Sequence, residues 1–511
     1  MSQSLKVNGW QPVWEQSVID GEKTSATFCI GEPLKREIVF TPDKPWEGEI
    51  NYANVLKDGD IYRMYYITHI HSKDKCPKYT YSEDEVLANK WLLYYTNIFI
   101  CYAESKDGIH WERPALGIYE YNGNKENNIV LRSEDLPGRF SMWDNFFVFK
   151  DTNPNCPEDE RYKGIGFDAK LLEEDVVSSF REGLSYYASA DGKKFRFMRT
   201  LRISEGTYDT LNTCSYDEKT GKYVLYYRGW HNIPESGDRI LGTRDIKRAE
   251  SADFVNWSGF EQIEFMDGED YPMYTNNIMP YYRNREILIG FPTRYTERKE
   301  WTSNYDELPG RECRWETLHT AHPREALAMT DCLFMCSRDG KIWDRKKEAF
   351  FTSGMETDIN WVYGDGYPTY AMVETVADDG INKEISMFMP DSARPTTTKE
   401  HKPEQLYRYT LRRDGFGYYN ANANGAVVAT KPFVFEGNEM QINFATSAYG
   451  SVYITMRDED GNEAKTCELF GNSDHRRVLF ENAKISDFAG KKVTLTFEMK
   501  DAKLYSFAFL K

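Results

Sequence analysis

The sequence predicts an all-β protein: a five-bladed β-propeller followed by a C-terminal β-sandwich of jelly-roll type. Three observations carry the prediction. Aromatic residues make up 15% of the chain, with 35 Tyr, 29 Phe and 12 Trp, and bulky flat side chains suit the pleated surface of a strand. A unit of strand, polar turn and aromatic-opened strand recurs along the chain. After about residue 415 that unit stops, and short alternating strands with Asp-Gly and Asn-rich turns take over.

The recurring unit reads FICYAESKDGIHWER (99–113), LSYYASADGKKFRF (184–197), IKRAESADFVNWSG (246–259), LFMCSRDGKIWDR (333–345) and LYRYTLRRDGFGYYN (406–420). Asp-Gly suits such a turn, because Gly accepts φ > 0 and Asp bonds the backbone ahead of it. Asp253-Phe254 in the third copy departs from the Gly rule. The turn aspartates, Asp107, Asp191, Asp253, Asp339 and Asp414, stand at blade-sized intervals. Each copy follows a strand–turn–strand pair: 51–67, 144–167, 210–230, 275–295 and 368–389. Every blade thus has four strands, A to D, with the Asp-Gly turn joining C to D. The propeller is assigned to residues 1–414 and the sandwich to 415–511. Helix is scarce, with 171–182 one short candidate.

Composition narrows the function classes. Hydrophobic content of 40% and charged content of 28% exclude large-scale disorder. A net charge of −17 argues against nucleic acid or an anionic membrane surface as partner. No stretch approaches the roughly 18 apolar residues of a membrane span. The opening MSQSLKVNGWQPVWEQ lacks a basic n-region and an apolar h-region, which predicts a cytoplasmic protein. The nine Cys are scattered and read as buried thiols rather than a disulfide framework. Phosphate-loop, dinucleotide and nucleophile-elbow motifs are absent. His69-x-His71 and His319-x-x-His322 are the thin metal candidates, each read first as packed or solvated imidazoles.

In a propeller, the starts of the A strands and the B–C loops open on one face around the axis, so acids at those places converge. Glycoside cleavage needs such acids: one protonates the leaving oxygen, and another attacks the anomeric carbon or activates water. The candidates are Glu47 and Glu49 in PWEGEINY, Asp144 in MWDN, Asp209 in TYDTLN, and Glu182 and Asp331 before C strands. Glu47 and Asp209 are the leading acid/base and nucleophile pair, with Asp144 and Asp331 next. Trp46, Tyr274, Asn276, Arg294 and Tyr370 are expected to line the sugar site, with Asn277, Asp365 and Tyr367 beside them. Arg294 either binds a sugar hydroxyl or orients a carboxylate. No metal or cofactor is required, and oligomeric state stays open.

With these turns, acids and trailing strands, the chain resembles the five-bladed β-propeller glycosidases of glycoside hydrolase families 32, 43, 62 and 68. YAESKDGIHWERP, FMCSRDGKIWDR and KDGDIYRMYY look like their blade strands. The resemblance implies that axial acids act as nucleophile or base, transition-state stabiliser and general acid, on fructosides, arabinosides or xylosides. Trp46-Glu47-Gly48 stands where those families carry Asn-Asp-Pro-Asn-Gly, no Arg-Asp-Pro occurs at blade two, and Glu312-Cys313 falls in the fourth blade's loop rather than the third's. The roles of Glu47, Asp144, Asp209 and Asp331 therefore rest on position. An exo-acting glycosidase on a furanoside is the expected function. A propeller-type phosphorylase, using Arg294 with Arg283 or Arg228, and a non-catalytic carbohydrate-binding propeller are the alternatives.

Overall fold

The computed structural model describes residues 5–69, 98–132, 141–170, 184–201, 203, 208–237, 242–319, 324–358, 360–391 and 404–511. The helix candidate at 171–182, Glu182, His71 and His322 lie outside the described residues. Five sheets of the expected strand order form the blades of a propeller. Blade one runs from Glu49–Asp58 outward through Ile61–His69 and Ile98–Ser105 to Ile129–Arg132. Blade two is built from Ser141–Lys150, Tyr162–Lys170, Leu184–Ser189 and Arg196–Leu201, and blade three from Thr213–Asp217, Lys222–His231, Thr243–Ser251 and Trp257–Gln262. In blade four, Met279–Tyr281, Asn284–Gly290, Met335–Ser337 and Ile342–Arg345 form the sheet, and Glu264–Phe265 adds a parallel edge.

The central strands are buried on both faces. Leu184–Ser189 is buried throughout, whereas the outer strand Arg196–Leu201 is mostly exposed. Neighbouring blades meet through separate apolar clusters, and these interfaces are where the aromatic content goes. Phe146 and Tyr187 of blade two pack on Tyr65 and Tyr102 of blade one. Cys214, Tyr223 and Leu225 of blade three pack on Phe147, Ile165 and Tyr186 of blade two. Burial of large apolar side chains at about 25 cal/mol per Å² is the main force holding the ring.

The Asp turns share one geometry in blades one to four. The Ser two residues earlier donates from Oγ to the Asp Oδ1: Ser105 to Asp107 at 3.0 Å, Ser189 to Asp191 at 2.9 Å, Ser251 to Asp253 at 3.1 Å and Ser337 to Asp339 at 3.0 Å. The same Oδ1 accepts the backbone N–H groups two and three residues on, as from Val255 and Asn256 to Asp253. Gly192 follows with φ of 71°, and a Cβ there would lie 2.7 Å from the Tyr65 hydroxyl of the preceding blade. At the third turn Phe254 adopts φ of 62° instead. Its buried ring meets those of Tyr186, Tyr223 and Trp257 at 4.7, 5.0 and 5.5 Å, contacts that offset the left-handed backbone.

The fifth copy corrects the sequence reading. Leu406–Arg412 is the third strand of blade five, beside Lys383–Pro390 and Val373–Val376, but Gly417–Ala421 leaves the blade. The outer strand is instead Leu34–Phe40, from near the start of the chain. Closure by that segment pairs a sheet edge that would otherwise stay open and ties the first blade to the last. Asp414 is accordingly no surface turn residue. It is fully buried with φ of 58°, and its carboxylate accepts from Tyr281 Oη, Arg283 Nη1 and Ser506 Oγ.

Apart from the two-stranded pair Thr293–Glu297 and Ala328–Cys332, the remaining strands form one ten-stranded sheet with a single apolar core. Its backbone is the long pair Glu439–Asp458 and Lys492–Leu510. Position 415 marks only one edge of this unit, because Leu5–Lys6, Gly9–Pro12 and Thr27–Ile30 pair into it as well. Trp14, fully buried against Tyr281, Phe334 and Phe416, packs where this sheet meets blade four.

Candidate active site

Buried side-chain amides knit the inner strands around the axis. Asn54 of blade one donates to Val148 O and accepts from Val148 N. Asn145 donates to Tyr208 O at 2.8 Å, and Asn212 donates to Asn145 Oδ1 at 3.1 Å. Asn276 accepts from Thr213 Oγ1 at 2.8 Å, and Asn277, with φ of 42°, donates to Pro368 O at 2.7 Å. Tyr370 N donates to Ala53 O at 3.1 Å, which closes the circuit between blades five and one. Asn276 and Tyr370, expected at a sugar site, are thus parts of the axial framework. Burial raises the Tyr370 hydroxyl pKa.

The four proposed acids take different places. Glu47 is closed off: its side chain has 0% exposure. Oε2 accepts the N–H groups of Asp43 and Lys44 at 3.0 and 3.1 Å, and Oε1 accepts Tyr66 Oη at 2.5 Å and Arg113 Nε at 2.8 Å. Trp46 donates from Nε1 to Asn128 Oδ1 at 2.7 Å and packs edge-on to Tyr121. Both belong to the junction of blades five and one. Asp331 is paired across a hairpin with Arg294, whose Nε and Nη2 reach the two carboxylate oxygens at 2.9 and 2.5 Å. That pair clasps the extension Thr293–Glu297 and Ala328–Cys332 of blade four. Asp144 lies in the inner strand of blade two, and its side chain is outside the described residues.

Asp209 is the proposed acid that opens to solvent, with 56% side-chain exposure, in the loop leading into blade three's inner strand Thr213–Asp217. Its Oδ2 lies 3.9 Å from Arg228 Nη1. Arg228 is buried, and among the described residues its Nε and Nη1 meet no hydrogen-bond acceptor. The carbonyl of Tyr274 fixes the arrangement by accepting Arg228 Nη2 at 2.5 Å and Thr210 Oγ1 at 2.7 Å. Aromatic rings pack beside Arg228. Tyr274 stacks on Tyr295 with centroids 4.9 Å apart, and Tyr363 stands edge-on to both. Arg228 and Arg244 lie 5.1 and 4.9 Å from the Tyr274 ring centre, and Arg244 is 4.3 Å from that of Trp230.

Beyond Arg244 a cavity of about 450 Å³ opens between blades three and four, lined in part by His231, Asp245, Asp270 and Tyr271. Asp245, on the third strand of blade three, is buried, and Oδ2 meets His231 Nδ1 at 2.8 Å. The other ring nitrogen of His231 meets Asp270 Oδ1 at 2.9 Å. Burial raises the Asp245 pKa above the usual carboxylate value, against the opposing pull of His231, Lys247 and Arg228. Burial alone lowers the His231 pKa, but the carboxylates of Asp270 and Asp245 outweigh it and raise the value. Asp245 is not among the acids expected from the sequence, because it lies within the strand Thr243–Ser251 and not at a loop end. The signal in the sequence is a carboxylate inside a strand-like segment, TRDIKRAES. Asp365, also expected near the site, accepts the N–H groups of Trp361 and Val362. Of the imidazole pairs, His319 bonds Trp315 O at 2.7 Å on an exposed helix end, and Arg283 is committed to Asp414.

No protein-family model and no curated protein matches the chain. Solved structures do resemble it. A structure described as a glycoside hydrolase has a TM-score of 0.43 at 12% identity, covering 75% of this chain and 92% of its own. A GH32 β-fructofuranosidase from Bombyx mori has a TM-score of 0.41 at 9% identity, covering 93% and 94%. A β-1,2-mannobiose phosphorylase from Listeria innocua has 0.41 at 11% identity, covering 74% and 96%.

Proposed function

We propose that this protein is a glycoside hydrolase acting on short oligosaccharides where blades three and four meet the axial mouth. The observation that carries this reading is Asp209, an open carboxylate 3.9 Å from the buried Arg228, whose guanidinium packs on the Tyr274 ring. Asp209 supplies the oxygen that attacks the anomeric carbon or takes the proton of an attacking water. The fixed guanidinium favours negative charge at that place. The furanoside class, a fructoside or an arabinoside cleaved in exo fashion, follows from the resemblance of the blade segments.

A proton NMR time course with fructo-, arabino- and xylo-oligosaccharides tests the reading. New anomeric signals lost in Asp209→Asn support it, and silence across the panel from the folded wild type ends it. The second reading, phosphorolysis, is favoured by the two guanidiniums around Tyr274. It requires sugar 1-phosphate to appear only when inorganic phosphate is supplied.

A further inference from the structure

We propose that Cys156 and Lys163 form a redox-sensitive modification site, in which dioxygen joins them through one bridging oxygen as Sγ–O–Nζ. Cys156 lies in the loop between the first two strands of blade two, and Lys163 lies near the start of the second. Lys163 Nζ donates to Cys156 Sγ at 3.4 Å, and both residues are buried. A buried ammonium needs partners, and Asp151 Oδ2 at 3.2 Å and Glu160 O at 3.1 Å supply them. Asp151 is itself fixed, accepting Asn153 N at 2.8 Å and Tyr223 Oη of blade three at 2.7 Å. The loop is pinned from its other side. Cys156 N donates to Asn153 O at 3.0 Å, and Arg161 Nη2 donates to Cys156 O at 3.2 Å. Sulfur and amine are therefore held against each other by groups that the glycosidase reading does not use.

Burial, with Asp151 next, raises the Cys156 pKa to about 11 against the pull of Lys163. The sulfur stays a thiol, which slows the peroxide-driven ladder toward sulfinic acid. Dioxygen is small and uncharged, so it enters a packed seam without the desolvation cost of an ion. In the step, Asp151 Oδ2 takes one proton from the ammonium and frees the lone pair of Nζ. The S–H bond and one N–H bond then break. One oxygen atom of dioxygen bonds to both sulfur and nitrogen, and the other leaves as water with the two hydrogens. Sulfur and nitrogen each lose two electrons, which are the four that reduce dioxygen. The 3.4 Å separation suits one interposed atom, whereas a direct S–N bond demands a much closer approach. The bridge ties the loop to the strand and removes the ammonium charge that faces Asp151. Two equivalents of a dithiol reverse it, returning thiol, amine and water.

The test uses the full-length protein, prepared under nitrogen with reductant and then held, reductant removed, in oxygen-saturated or oxygen-free buffer. Trypsin cleavage after Lys150, Arg161 and Lys163 separates Cys156, in 151–161, from Lys163. A bridge blocks the cut after Lys163. Mass spectrometry should then find 151–161 joined to a peptide beginning at Tyr162, one oxygen heavier and two hydrogens lighter than their sum. This species is expected in oxygen, absent without it, absent from Cys156→Ser, and lost on adding dithiothreitol. Wild type with and without dithiothreitol decides the matter if Cys156→Ser fails to fold. Separate, unmodified peptides after exposure to oxygen overturn the proposal. So do oxidation of Cys156 alone and a direct S–N link, which lacks the added oxygen.

Discussion

Arg113 donates from Nε to Glu47 Oε1 at 2.8 Å and lays its guanidinium 3.9 Å from the ring centre of Phe40. Phe40 ends the strand that closes blade five, so this carboxylate locks the seam of the propeller. Burial raises the hydroxyl of Tyr66, the other donor to Glu47, well above its ordinary pKa, and it stays a neutral donor. Glu47→Gln removes the buried ionic partner of Arg113, leaving only the exposed Asp43 at 3.8 Å, and is expected to cost about 3 kcal/mol, with turnover close to wild type. Urea unfolding and steady-state rates check both halves. A large loss of turnover with stability unchanged would return Glu47 to the chemistry.

Asp209→Asn has the opposite signature. The side chain is 56% exposed and makes no hydrogen bond inside 3.5 Å among the described residues, so stability should stay within about 0.5 kcal/mol. Turnover should fall by about 10³-fold or more. The same two measurements, run beside Glu47→Gln, separate the seam from the site.

Phe254→Ala keeps the left-handed backbone but removes the rings' contacts that offset it. The expected cost is about 3–5 kcal/mol. Thermal or urea unfolding of this variant checks the value, and a loss below about 1 kcal/mol would mean the blade two–three seam repacks.

Acid should weaken the turns. Hydrogen bonds from Asn256 and Val255 hold the Asp253 carboxyl well below its ordinary pKa. A lowered folded-state value stabilises the protein above the unfolded carboxylate pKa of about 3.9, and that contribution is lost as pH falls through the folded value. The urea midpoint of wild type should therefore drop below about pH 4 more steeply than that of Asp253→Asn. Parallel curves would show that the turn does not couple to folding.

The sequence by itself determined the repeat. Local chemistry is enough for that, since Ser-x-Asp-Gly closes its own turn through bonds spanning two or three residues, and alternation marks the strands between. Which strand completes blade five was not legible, because Gly417–Ala421 and Leu34–Phe40 are equally strand-like and only ring closure chooses between them. The same limit applies to the acids. Glu47 and Asp209 look alike as loop carboxylates, yet one meets Arg113, Tyr66 and two backbone N–H groups while the other faces solvent beside Arg228. Burial and partners from distant segments decide whether a carboxylate braces the fold or stays available for chemistry. Those partners, like His231 beside Asp245, are brought together only by the tertiary structure.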